Sequence, residues 1–96
     1  MHMEKQYWVY MLTNRSNKVL YIGCTSNLPL RVAQHKQKAI GGFTAKYNIN
    51  KLIYFESTND AYAAVSRERQ LKGWTRKKKS WLINRLNPEW VELFVD

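Results

Sequence analysis

The chain has 96 residues, with 16 Lys and Arg against 7 Asp and Glu, which leaves a formal charge of +9. That length fits a single domain, 1–96. A 45% hydrophobic fraction with 14% aromatics is too apolar for a disordered basic tail. No apolar run approaches the roughly 18 residues a bilayer span needs, so no membrane partner is expected. The first residues lack the charged-then-apolar pattern of an export signal. The lone Cys24 excludes an intramolecular disulfide and a multi-cysteine zinc site. A cytoplasmic setting with reduced thiols is the expectation.

In chain order, Tyr7–Leu12 is an unbroken aromatic and aliphatic run, read as a strand buried on both faces. The polar turn Thr13–Asn17 separates it from a second such run, Val19–Gly23, and a short turn between two strands makes an antiparallel hairpin. Thr25, Ser26 and Asn27 offer capping oxygens and Pro29 suits a first helical turn, so a helix is expected over Leu28–Ile40, stopped by Gly41-Gly42. Leu28, Val32 and Ala39 share one face of it; Arg31, His35 and Lys38 share another. Phe43–Tyr47 reads as a basic, aromatic loop and Lys51–Ser57 as a third strand. Asn59 is expected to cap a helix over Asp60–Lys72, with Gly73 ending it. Thr75 caps a last helix, Arg76–Leu86, with Trp81, Leu82 and Leu86 towards the core; Asn87-Pro88 stops it. The tail, Glu89–Asp96, is a strand or a docked extension. The order β-β-α-β-α-α predicts an α+β fold: a small, largely antiparallel sheet covered by helices.

Positive charge is uneven. From Lys5 to Lys51 no acid interrupts the bases, and a second cluster, Arg67 to Lys79, holds only Glu68. Such a field attracts polyanions, nucleic acid first among them, because each neutralised phosphate releases counterion. Lys36, Lys38, Lys46, Arg67, Lys72, Arg76, Lys77 and Lys78 are the candidate phosphate contacts. A plainer reading, that the charge serves solubility alone, remains open at this point.

Several polar residues suggest chemistry. Tyr10 and Tyr21 lie on the hairpin strands, where ordinary strand aromatics are also expected. Arg31 and His35 lie one helical turn apart. Glu68 falls on the inward half of its helix, beside Ala64, Val65 and Leu71, where a carboxylate needs a partner: Lys72 at i+4, or a cation. A phosphodiesterase needs a base for water, a group that stabilises the crowded phosphate, and a Lewis acid. Tyr, Arg and one carboxylate able to hold Mg²⁺ meet that minimum. No second carboxylate stands near Glu68, which argues against a two-metal nuclease.

The ordered set Trp8-Val9-Tyr10, Tyr21-Ile22-Gly23, Arg31, His35, Glu68 and Asn87 resembles the GIY-YIG nuclease family. So do the eleven-residue step from Tyr10 to Tyr21 and the segment Asn27-Leu28-Pro29-Leu30-Arg31 followed by His35. The resemblance covers residues 6–90. It looks closest to the small stand-alone bacterial members, the YhbQ-like group, through Gly42-Phe43-Thr44, Lys46-Tyr47-Asn48, Glu68–Trp74 and Asn87-Pro88-Glu89-Trp90. It implies a three-stranded antiparallel sheet flanked by helices, and hydrolysis of nucleic-acid phosphodiesters, DNA before RNA, with Mg²⁺ or Mn²⁺ in repair or DNA processing. By position it makes Tyr21 the general base, Tyr10 its neighbour that orients water or phosphate, Arg31 the transition-state stabiliser, His35 a proton carrier or phosphate donor, Glu68 the metal ligand and Asn87 a positioning group. Gly23 would admit substrate close to the backbone. Cys24 departs from the pattern: the excision-repair members carry a lysine there. Larger relatives add a separate DNA-binding domain, so targeting here falls to the basic surface or to a protein partner, in a monomer or weak dimer. The competing class is a non-catalytic nucleic-acid-binding module that keeps the fold. Phe43, Tyr47 and Trp74 are candidates to stack on unpaired bases, if they are not core.

Overall fold

A computed structural model describes residues 5–96. The first strand, β1 (Tyr7–Thr13), lies between β2 (Leu20–Thr25) and β3 (Lys51–Thr58), antiparallel to both. Its central place explains its unbroken apolar sequence. Val9 and Met11 face one layer of the core, and Tyr10 and Leu12 face the other. On the first face, α3 (Ala61–Lys72) contributes Ala64 and Leu71, and α4 (Arg76–Leu86) contributes Leu82 and Ile83. On the second, α1 (Leu28–Lys36) contributes Leu28 and Val32. The expected α+β architecture, a three-stranded antiparallel sheet flanked by helices, is the one observed. A further short helix, α2 (Phe43–Lys46), stands where a loop was expected.

The helix ends differ from expectation for identifiable reasons. α1 stops four residues early, at Lys36. Lys38 takes a left-handed conformation (φ 55°), its N–H bonds the His35 carbonyl, and the Ala39 N–H reaches back to the Gln34 carbonyl. This is a Schellman closure with lysine where glycine is usual, so Gly41-Gly42 is not the stop. α2 closes in the same way: Asn48 has φ 55° and the Ile49 N–H bonds the Thr44 carbonyl. Its start depends on Gly42, whose φ of 82° and ψ of −142° suit glycine alone. α3 is capped by Asp60, not Asn59: the Asp60 carboxylate accepts the Tyr62 N–H at 3.1 Å. α4 begins at Thr75 as expected. Its residues Trp81 and Leu86 are exposed rather than core, because the face presented to the sheet carries Leu82 and Ile83.

A bulge in β3 matters for the rest of the chain. Met11 pairs with Tyr54 and Leu12 with Leu52, which leaves Ile53 without a partner in the register. Ile53 and Tyr54 consequently both join the α3–α4 face of the core. The Ile53 carbonyl is taken up by Asn87, whose amide nitrogen donates to it at 3.0 Å. The same nitrogen donates to the Val91 carbonyl, and the Asn87 Oδ1 accepts the Val91 N–H. Buried Asn87 thus joins the end of α4, the bulge and the tail. The tail is a docked extension: the Leu93 N–H bonds the Leu52 carbonyl, Leu93 and Val95 pack on the α1-side core, and Glu92 pairs with Lys36.

Two substitutions test these closures by urea unfolding. Lys38→Gly removes a left-handed penalty of about 1–2 kcal/mol against a glycine entropy cost of about 0.5–1, for a net stabilisation of up to about 1.5 kcal/mol. Asn87→Ala orphans the Ile53 and Val91 groups and is expected to destabilise by about 3 kcal/mol.

Candidate active site

The site is built around one strand pair. Tyr10 stands opposite Gly23 in the β1–β2 ladder, and a Cβ at Gly23 would overlap the Tyr10 ring at Cζ and the hydroxyl oxygen. The missing side chain is therefore filled by Tyr10 itself, so that room is not kept for substrate. Tyr21, two residues back on β2, lies on the same sheet face, and its ring centroid is 6.3 Å from that of Tyr10. His35 completes the group from α1, at 6.0 Å from the Tyr10 centroid and 5.5 Å from the Tyr21 centroid. It belongs to the buried face of α1 with Leu28 and Val32, at positions i, i+4 and i+7, and is 3% exposed. The expected solvated face of Arg31, His35 and Lys38 is thus split.

A hydrogen-bonded chain runs through His35. Its Nε2 is 3.2 Å from the Tyr10 hydroxyl and its Nδ1 is 3.3 Å from Thr44 Oγ1. Burial first, then Tyr21, Glu68 and Cys24, push the Tyr10 phenol well above the ordinary range against the pull of Arg31; the phenol stays protonated. Burial and the Arg31 charge lower the His35 pKa below 6.5, so the ring is neutral at pH 7. One tautomer serves both groups: Tyr10 donates to Nε2, and Nδ1–H donates to Thr44. In the reverse arrangement the buried phenol's own proton would lack that acceptor. With both ring nitrogens engaged, His35 holds Tyr10 in place and has none turned to a phosphate. Sequence alone assigns Thr44 no role; the Gly42-Phe43-Thr44 segment carries only the family likeness. A polar residue flanked by exposed aromatics on a four-residue helix carries little signal of its own.

Arg31 and Glu68 lie on helices that cover opposite faces of the sheet. Arg31 lies on α1 and Glu68 on α3, yet both charges act on the Tyr10 phenol. β2, which carries Tyr21, is an edge strand. Glu68 is half-buried, with its carboxylate 3.4 Å from the Lys72 ammonium. Burial and Glu68 raise the nearby Cys24 thiol against Lys72, which keeps it protonated and unsuited to act as a nucleophile. Among the described residues no three His, Cys, Asp or Glu cluster to hold a metal. Glu68 alone fits a hard divalent ion that takes one carboxylate and fills its other positions with water and phosphate oxygens.

The candidate phosphate contacts divide. Arg67 forms a fork with Glu56 at 2.6 and 3.4 Å, bonds Gln70, and lies over Trp74. Its partner Glu56 also accepts from Tyr54, whose phenol is pushed up to about 12 by burial and by that bond. Arg76 donates to the Asn17 and Lys18 carbonyls and so pins the β1–β2 turn. Lys36 is paired with Glu92. These three have partners within the chain; Lys36 and Arg76 nonetheless stay exposed, and Arg67 is half-buried. Asn87 likewise spends both amide protons on backbone carbonyls and has none left for a phosphate. Lys38, Lys46, Lys77 and Lys78 stay exposed; Lys78 lies 4.3 Å from the Trp74 ring centroid.

Comparison with known proteins bears on this geometry. A family model described as the GIY-YIG catalytic domain matches residues 6–83. A UPF0213 protein of Syntrophus aciditrophicus is 36% identical over 91 residues, spanning 91% of this chain and 98% of its own. Another, from Haloquadratum walsbyi, is 32% identical over 80 residues, 83% of this chain and 89% of its own. The solution NMR structure of a UPF0213 protein from Bacillus halodurans has the same fold, with a TM-score of 0.58 over 88% of this chain and 89% of that one, at 20% identity.

Two measurements probe the Tyr10–His35 core. A histidine lowered in the fold stabilises in its neutral form; that contribution is complete above pH 6.5 and is lost as pH falls towards the folded value. Urea stability should decline on acidification below pH 6.5, and His35→Gln should remove that part of the slope. Gly23→Ala should cost about 1–3 kcal/mol, because the methyl must displace a buried ring.

Proposed function

Because the chain belongs to the GIY-YIG nuclease family, in its UPF0213 group, we propose that it hydrolyses phosphodiester bonds of DNA at the β2 edge of its sheet. The observation that supports this reading is the clustering of the Tyr10, Tyr21 and His35 rings, with Arg31 one turn before His35 on α1. The two tyrosines take different parts. Tyr10 is buried, protonated and tied to His35, so it is a fixed donor and cannot be the base. Tyr21 is more exposed than Tyr10 and its ring is braced by His35. To act as base it must first give its own phenol proton to solvent; its oxygen then takes the proton of the attacking water while the water oxygen bonds phosphorus, the bond to the leaving oxygen breaks and that oxygen is protonated from solvent. The Arg31 guanidinium stabilises the charge on the non-bridging oxygens. Glu68 would hold Mg²⁺ or Mn²⁺ in place of its ion pair with Lys72; nucleases of this family generally use divalent metals. When bound, the ion supplies Lewis-acid stabilisation of the phosphate and the leaving oxygen. His35 and Thr44 act through Tyr10 as positioning residues.

The test is nicking of supercoiled DNA by purified protein in Mg²⁺, Mn²⁺ or EDTA. Tyr21→Phe should slow nicking about 10²- to 10⁴-fold and Arg31→Ala about 10²- to 10³-fold, while Glu68→Ala and EDTA should abolish it. Nicking that Glu68→Ala and Tyr21→Phe leave intact comes from a contaminant and sinks the catalytic reading. Salt-sensitive binding without nicking would instead support a non-catalytic module.

A further inference from the structure

We infer that α2 and the β1–β2 turn form a platform that holds an unpaired nucleobase of the DNA strand beside the site. This rests on the nuclease reading and adds a substrate-binding surface to it. Phe43 and Tyr47 are 52% and 46% exposed, although both are large and apolar. Their rings pack against each other with centroids 4.9 Å apart, tilted by 55°, so each holds the other upright and leaves an outer face open. The backbone fixes this orientation. Gly42 starts α2 in a conformation suited to glycine, Thr44 turns inward to His35, and Phe43 and Tyr47, one helical turn apart, are left outside.

The charge around the pair selects the occupant. The Lys46 ammonium lies 5.4 Å from the Tyr47 centroid. Across an open depression of about 470 Å³, Asn14, Arg15 and Ser16 of the turn face Tyr47 and Asn48. Exposed Lys38 stands a few residues before α2 in the chain. No acid occurs in the sequence between Glu4 and Glu56, so this part of the chain brings no negative charge of its own. Aromatic faces bordered by cations suit stacked bases with their phosphates, and a base can reach such a face only when it is unpaired. A polypeptide partner would find ring faces, but none of the segments that form the platform brings a carboxylate to meet its cations. Through Thr44 the platform is tied to the residue that holds Tyr10, so a strand seated there lies next to the proposed reacting centre.

Binding is measured in EDTA by fluorescence anisotropy, with a labelled 12-nucleotide oligothymidylate and a blunt duplex of the same length. Tyr47→Ala and Phe43→Ala should each weaken oligothymidylate binding about 5- to 100-fold and change duplex binding less than about twofold, while Tyr47→Trp should retain single-strand binding. Far-UV circular dichroism and thermal melting check the fold, and Tyr47→Trp covers the case in which an alanine variant loses α2. Unchanged single-strand binding in both alanine variants, or equal losses on duplex, overturns the platform and leaves the patch to a protein partner. The two ideas fail separately. Tyr47-dependent binding by a protein that nicks nothing in Mg²⁺ removes only the nuclease reading. Tyr21-dependent nicking without Tyr47-dependent binding removes only the platform.

Discussion

The absence of a side chain at Gly23 is the constraint on which the site depends. It lets a full tyrosine ring lie across an edge strand, where it is 2% exposed and meets His35. His35 in turn holds Thr44, and Thr44 sets the orientation of a helix only four residues long. One missing methyl group thereby determines geometry on β1, β2, α1 and α2. A buried polar chain of this kind is costly when broken and rigid when complete. That rigidity suits groups that must meet a phosphate in a fixed arrangement.

The excess of positive charge has several tasks rather than one. Arg67 joins α3 to β3 through Glu56, Arg76 fastens the hairpin turn, and Lys36 anchors the tail. Trp74, Trp81 and Trp90 each have a cation over the ring: Arg67 and Lys78, Arg85, and Arg76. In a small domain with a limited core, these contacts extend packing onto the surface. What is left for a polyanion is a subset of the lysines together with arginines such as Arg15 and Arg31, and their positions rather than the net charge decide which surface it meets.

The sheet was legible in the sequence because hydrophobic runs without breakers are a strong signal, and their order gave the architecture. Helix ends were less legible. Lys38 adopts a left-handed conformation that propensity assigns to glycine or asparagine, so the stop after Lys36 left little trace; Asn48 suits such a position, but a helix of four residues has too little periodicity to be read. Trp81 and Leu86 read as core by composition, yet tertiary packing chose Leu82 and Ile83. In the candidate site, residue types in order pointed to Tyr10, Tyr21, Arg31, His35 and Glu68. Which of them were buried, and that His35 is fully engaged, depended on contacts between residues far apart in the chain. Asn87, Arg67 and Arg76 illustrate the same limit: a polar side chain looks alike in sequence whether it serves a ligand or a backbone carbonyl.

The docking of the tail has a consequence for self-association. A three-stranded sheet normally offers two open borders to which another chain can add a strand. Here the Leu93 bond to Leu52 places the tail along β3, the outer strand away from the site. The remaining border is β2, the strand that carries Tyr21 and Gly23. Strand addition between two copies would thus have to use the border where catalysis is proposed. Growth into a continuous sheet, which needs both borders free, would on the other side have to displace the tail where it docks on Leu52.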